Sequence, residues 1–141
     1  MLLNATILNH TSVPVISKAM DAAMLRENAI SDNFANVMTP GYQRIEVSFE
    51  DQMRQALATE QELQGTRTSS GQMRLGRPEV DQVQAVAYRP EDPTKPGEVN
   101  NVDVDIEAAK LAENQIMYNF DVQFIRDRLD TISRAGAASS T

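Results

Sequence analysis

At 141 residues the chain has the size of one domain, and a net charge of −7 leaves no basic footprint for nucleic acid or an anionic membrane surface. The absence of cysteine excludes disulfides, thiolate metal sites and cysteine nucleophiles. With no Trp and aromatics at only 5%, packing falls to Leu, Ile, Val, Ala and Met, residues suited to close helix–helix contact.

Residues 1–11 are polar and weakly patterned and read as a flexible leader. They hold the single histidine, His10, which has no acidic neighbour in sequence and reads as solvated rather than catalytic or metal-binding. The opening MLLNATILNHTSVP has no Lys or Arg and no long apolar run, so it does not read as a Sec-type signal. The expectation is a chain that stays in the cytoplasm or leaves by a route without a cleaved leader. No apolar stretch approaches the ~20 residues of a membrane-spanning helix.

A helix is predicted over 12–37, with Ser12 as its cap and Pro14 in its first turn, where a missing N–H costs little. Val13, Ile16, Met20, Ala23, Glu27, Ile30, Phe34 and Val37 recur at alternating spacings of three and four, and only Glu27 is polar. That spacing puts them on one face and is the pattern of a seam between long helices. Thr39-Pro40-Gly41 ends the helix, because the residue before proline is pushed out of the helical region and Pro-Gly suits a type II turn. Residues 38–49 are read as that turn and an extended segment, apolar at Ile45, Val47 and Phe49. A short helix is predicted over 50–64, on Met53, Ala56, Leu57 and Leu63. From 65 to 99, Gly, Ser, Thr and Pro predict an irregular region with one short strand near Val83–Tyr88, mobile or ordered only against a partner.

The last helix is predicted over 100–135, followed by a small-residue tail at 136–141. Asp103 or Asp105 can cap it, Asp105 and Glu107 suit its positive end, and Arg126, Arg128 and Arg134 lie toward its negative end. Its heptad is Val104, Ala108, Leu111, Gln115, Tyr118, Val122, Ile125, Leu129 and Ile132, with only Gln115 polar. A second stripe, Ile116, Met117, Phe120 and Phe124, lies on another face, and one partner helix cannot bury both. The fold class is therefore mainly α. The terminal helices pair as an antiparallel hairpin or coiled coil, with 12–64 and 100–135 forming one helical domain around a long irregular middle that holds minor β. Such a chain reads as a subunit that completes its core with copies of itself or with relatives. Glu27 and Gln115, as lone polar seam positions, would fix register and partner choice.

Catalytic and ligand-binding patterns fail on inspection. Asp103-Val104-Asp105-Ile106-Glu107 lacks the ligand offsets and glycine bend of a calcium loop and reads as helix capping. Gly71 to Gly76 is not followed by Lys-Ser/Thr, and there is no nucleophile elbow or H-E-x-x-H. Paired acids such as Glu60/Glu62 and Glu91/Asp92 fall in charged, exposed contexts. The expectation is a non-enzyme with no cofactor, no metal and no small-molecule substrate.

Two stretches carry a family resemblance. Asn33-Phe34-Ala35-Asn36-Val37-Met38-Thr39-Pro40-Gly41-Tyr42 resembles the N-A-N-x-x-T-P-G-Y signature that closes the N-terminal helix of bacterial flagellar rod and hook proteins. Asn100-Asn101-Val102-Asp103, followed by Glu107, Leu111, Asn114-Gln115 and Tyr118, is similar to the C-terminal segment of the proximal-rod type. The likeness covers 13–63 and 97–134 and leaves the middle unmatched. It implies a structural subunit of the proximal rod of the flagellar basal body, exported through the flagellar type III apparatus without a cleaved leader. It implies a periplasmic place beside other rod subunits, a small rod–ring adaptor and the membrane-ring protein. The alternative reading is a soluble helical adaptor or export chaperone in the cytoplasm, which the turn signature does not favour.

Overall fold

A computed structural model describes residues 12–57, 80–94 and 99–138. The leader with His10, residues 58–79 with Glu60 and Glu62, residues 95–98 and the last three residues lie outside them. The described chain is mainly helical, and its two long helices pack together in antiparallel order.

Helix α1 spans Val13–Ala35. Pro14 sits in its first turn, but Ser12 does not cap it through its side chain. Its backbone is already helical (φ −69°, ψ −5°), so the hydroxyl cannot swing back to the free N–H groups, and only its carbonyl serves, accepting from Ile16 N at 3.1 Å. Strand β1, Glu46–Ser48, pairs antiparallel with β2, Val86–Tyr88, in the register Glu46–Tyr88, Val47–Ala87 and Ser48–Val86. Helix α2, Glu50–Leu57, follows β1 directly, and its first turn carries Glu50 and Asp51, which suit its positive end. A single 3-10 turn, Val80–Gln82, lifts Val83 into the interior.

The apolar core is small and off to one side. Ala22 of α1, Phe49, Met53 of α2 and Val83 form it, with Val15, Ala19, Ala56, Val80 and Ala85 around them. It ties the middle of the chain to α1 and leaves α3 outside.

Helix α3 runs Val104–Ala138, so at a rise of about 1.5 Å per residue it is about 52 Å long against about 35 Å for α1. It begins four residues later than the sequence predicts. Asp103 is its cap, its Oδ1 accepting from the backbone N–H of Asp105 (3.1 Å) and Ile106 (3.3 Å). Asn100 to Asp103 stay outside the helix, with the first two side chains turned elsewhere. It also ends later: Gly136 does not adopt the left-handed conformation of a C-terminal stop, and the surrounding alanines carry the helix on to Ala138.

Candidate functional site

The turn that ends α1 is built on Asn33. Its side chain is fully buried and makes every hydrogen bond an asparagine can make. Nδ2 donates to the Ile45 carbonyl and to Glu107 Oε2, both at 2.9 Å. Oδ1 accepts from Ile45 N at 2.8 Å and from the Tyr42 hydroxyl at 3.2 Å. Bonding both backbone groups of Ile45, the amide acts as a one-residue strand partner and starts the extended segment that becomes β1.

The residues after Asn33 set the turn. Asn36 donates from Nδ2 to the Asp32 carbonyl at 2.9 Å, and its Oδ1 accepts from the Thr39 hydroxyl at 3.2 Å. Tyr42 N donates to Thr39 O at 3.3 Å across Pro40 and Gly41, and Gly41 has φ +72°, as the third residue of a type II turn requires.

The helix-start motif closes the same knot from the other end of the sequence. The buried Asn100 donates from Nδ2 to the carbonyls of Asn36 (3.0 Å), Val37 (2.9 Å) and Thr39 (3.0 Å), satisfying the C-cap residue of α1 and the turn beyond it. Its Oδ1 accepts from Val102 N at 2.9 Å, and Gly41 N donates to Val99 O at 3.1 Å. Asn101 Oδ1 accepts from Arg44 N at 2.9 Å, and Val102 is buried. The structure thus brings together both sets of motif residues, Asn33 to Tyr42 and Asn100 to Asp103.

From the knot a charged chain runs across the surface. Lys110 Nζ lies 2.8 Å from Glu46 Oε1 and 3.3 Å from Glu107 Oε1, and Arg44 bridges Glu46 and Asp92. Burial by itself would raise the Glu46 carboxyl, but hydrogen bonds from Lys110 and Tyr88 and the charges of Lys110 and Arg44 hold it below its ordinary value. The hydrogen bond to Glu46 in turn raises the Tyr88 hydroxyl.

The seam between the long helices sits one residue away from its predicted register. Ile16, Ala23 and Ile30 are buried as part of it, but Ala22, Ala29 and Asn33 complete the face, and Glu27 is exposed. On α3 the buried residues are Glu107 and Asn114, and Gln115 is exposed. Asn114 Nδ2 donates to the Ala23 carbonyl at 2.9 Å. The polar positions of the seam are therefore Glu107 and Asn114, not Glu27 and Gln115. Val13, Met20, Phe34, Leu111, Tyr118, Val122, Ile125 and Ile132 are half-buried, and Leu129 is exposed. The second stripe stands free: Ile116 is 69% exposed, Met117 55% and Phe120 61%. The Phe120 and Phe124 rings lie 6.3 Å apart, with the Arg128 guanidinium 5.5 Å from the Phe124 centroid.

Sequence reasoning missed Glu107 and Asn114 as interior groups. The signal was available in their spacing: seven residues apart, they share one face, and polar residues at interior helical positions point to a specific partner.

No family model matches the chain. Curated relatives do. It is 32% identical to the flagellar basal body rod protein FlgB of Borreliella burgdorferi, over 77% of this chain and 82% of the relative. To FlgB of Salmonella typhimurium it is 28% identical, over 79% and 83% of the two chains. To FlgB of Bacillus subtilis it is 27% identical, over 83% and 86%.

Proposed function

Because the chain belongs to the FlgB family of flagellar basal body rod proteins, we propose that it polymerises through its terminal helices as a proximal-rod subunit that transmits motor torque. The observation that carries this reading is the division of labour on α3. Its inner face is held to α1 by the buried hydrogen bonds of Glu107 and Asn114, while Ile116, Met117 and Phe120 stand uncovered beside it. A contiguous apolar stripe on a helix that already has a partner calls for a second one. Contacts repeated from copy to copy without closing build a shaft rather than a ring.

The partners that follow are other rod subunits, the rod–ring adaptor, the membrane-ring protein and further copies of this chain. The route is flagellar type III export without a cleaved leader, to a place in the periplasmic rod. No described helix is long and apolar enough to cross a membrane. The role is structural, and no catalytic step is assigned to it. The relatives are named as rod proteins, and none supports the alternative of a cytoplasmic adaptor or chaperone.

The test is incorporation. A strain lacking the gene is complemented with the native chain or with Phe120→Asp, and hook–basal bodies are purified. The native chain should appear in the basal-body fraction and restore swimming. Phe120→Asp, with native helicity by circular dichroism, should do neither. A native chain confined to the cytoplasm would overturn the reading.

A further inference from the structure

Beside the α1–α3 seam lies a groove of about 550 Å³. Its floor is the alanine row of α1, with Ala19, Ala22 and Ala23 leaving the backbone open to close approach; β1 and the start of α2 form one wall and α3 the other. On the α3 wall are Glu113, Asn114, Met117 and Asp121.

Three features of this wall are unfinished. Asn114 is 4% exposed, and although its Nδ2 bonds to Ala23 O, its buried Oδ1 accepts no hydrogen bond. A buried acceptor without a donor is costly, so the site asks for an N–H. Arg26 is paired to Glu50, and Lys110 to Glu46 and Glu107, whereas neither Glu113 nor Asp121 makes an ion pair among the described residues. Burial also raises the Asp121 carboxyl, as a group lacking its counter-charge would show. The missing occupant therefore carries an apolar body, a cation and an N–H donor.

The chain itself displays such a group. Further along α3, Phe120 and Phe124 form an exposed ring pair, and the Arg128 guanidinium sits over Phe124 and carries five N–H donors in a planar fork. Resting on the reading of the chain as a self-associating subunit, we propose that the Phe120–Phe124–Arg128 knob of one copy seats in the α1–β1–α3 groove of a second copy. Arg128 there meets Asp121 and supplies the N–H that Asn114 Oδ1 lacks, while the rings pack against Ala19 and Met117. Each chain carries both halves of the contact, so the pairing repeats from copy to copy.

The experiment measures self-association of the full chain by sedimentation equilibrium. Asp121→Lys and Arg128→Glu should each weaken it at least about tenfold, because each sets like charges across the contact. An equimolar mixture of the two variants should regain most of the loss, since each groove then faces a knob of opposite sign. Neither result depends on one variant folding well: the chain has no cysteine, so Asp121→Cys mixed with Arg128→Cys should give an intermolecular disulfide absent from either alone. A native chain that associates with both variants unchanged, or without rescue in the mixture, overturns the pairing and leaves the rod assignment intact. A native chain that stays monomeric at millimolar concentration also overturns the pairing, and makes a helix of a different rod protein the occupant. Absence from purified basal bodies would overturn the rod reading instead.

Discussion

Asn33 on α1 and Glu107 on α3 stand 74 residues apart in sequence, yet Asn33 Nδ2 lies 2.9 Å from Glu107 Oε2 in the interior. This one bond joins the two motifs that carry the family resemblance. It also fixes the register of the long helices, which their mixed apolar and polar faces alone would leave free to slide. A buried polar pair of this kind contributes little net stability against an apolar pair, but it penalises every other alignment.

Removing one side of that bond should therefore be far worse than softening it. Asn33→Ala leaves Glu107 Oε2 unpaired in the interior and Ile45 N and O and the Tyr42 hydroxyl unpaired at its half-buried margin, and should lower the unfolding free energy by about 3 kcal/mol. Glu107→Gln keeps an acceptor for Asn33 and loses only the contact with Lys110, so about 1 kcal/mol is expected. Urea midpoints at unchanged slope would measure both. Equal losses would mean that the charge of Glu107, not the completeness of the Asn33 bonding, holds the knot.

Asn100 serves α1 as a cap borrowed from the far end of the chain. Asn100→Asp replaces its two N–H donors with a carboxylate aimed at three carbonyl oxygens, and should cost more than Asn100→Ala, itself about 1–2 kcal/mol. The local readout is amide hydrogen exchange. Protection of Gly41 N, which bonds Val99 O, should fall before protection in the middle of α1 does.

Much of this was legible in the sequence. The two long helices, their antiparallel order and the free stripe on α3 follow from apolar spacing, and the turn follows from Pro40 and Gly41, whose backbone preferences are intrinsic. The seam register was not legible. Alanine is ambiguous on a helix: Ala22 reveals its burial only once Phe49, Met53 and Val83 are placed against α1, and Ala23 only once Asn114 of α3 meets its carbonyl. Glu107 and Asn114 read as surface polar residues until Asn33 and the Ala23 carbonyl appear opposite them. Shifting by one residue brings Ala22, Ala29 and Asn33 to the face that matters and turns Glu27 out of it. Substitutions at Glu27 and Gln115 therefore act on the exposed surface, not within the seam of one chain.

Gly41 isolates the conformational part of the turn. At φ +72°, a side chain is strained, but a Cβ built there meets no atom within 4 Å, so crowding adds nothing. Gly41→Ala should cost about 1 kcal/mol, Gly41→Asn less, and Gly41→Val more, because a β-branched residue resists positive φ most. Thermal midpoints of the three variants would check the order. If Gly41→Val matched Gly41→Ala, the turn would have to have changed type.

The pH dependence of stability should report the charged chain that leads away from the knot. Glu46 is held below its ordinary 4.5 as described above. Glu50 is lowered as well: burial acts to raise it, and backbone hydrogen bonds together with Arg26 outweigh that. A carboxyl whose folded pKa lies below its unfolded one stabilises the fold above the unfolded value, and that contribution is lost as pH falls through the folded value. Asp121, raised by burial, works in the opposite sense and offsets part of the loss. The net expectation is a plateau from neutral pH to about pH 5 and a fall in unfolding free energy below about pH 4.5. Lys110→Met should flatten that fall, because it removes the strongest hydrogen bond and charge that lower Glu46. Arg26→Met should flatten it less, since two backbone hydrogen bonds still hold Glu50 down. Denaturant titrations between pH 3 and 7 would separate the two. An acid slope unchanged in Lys110→Met would show that carboxylates other than Glu46 carry the acid sensitivity.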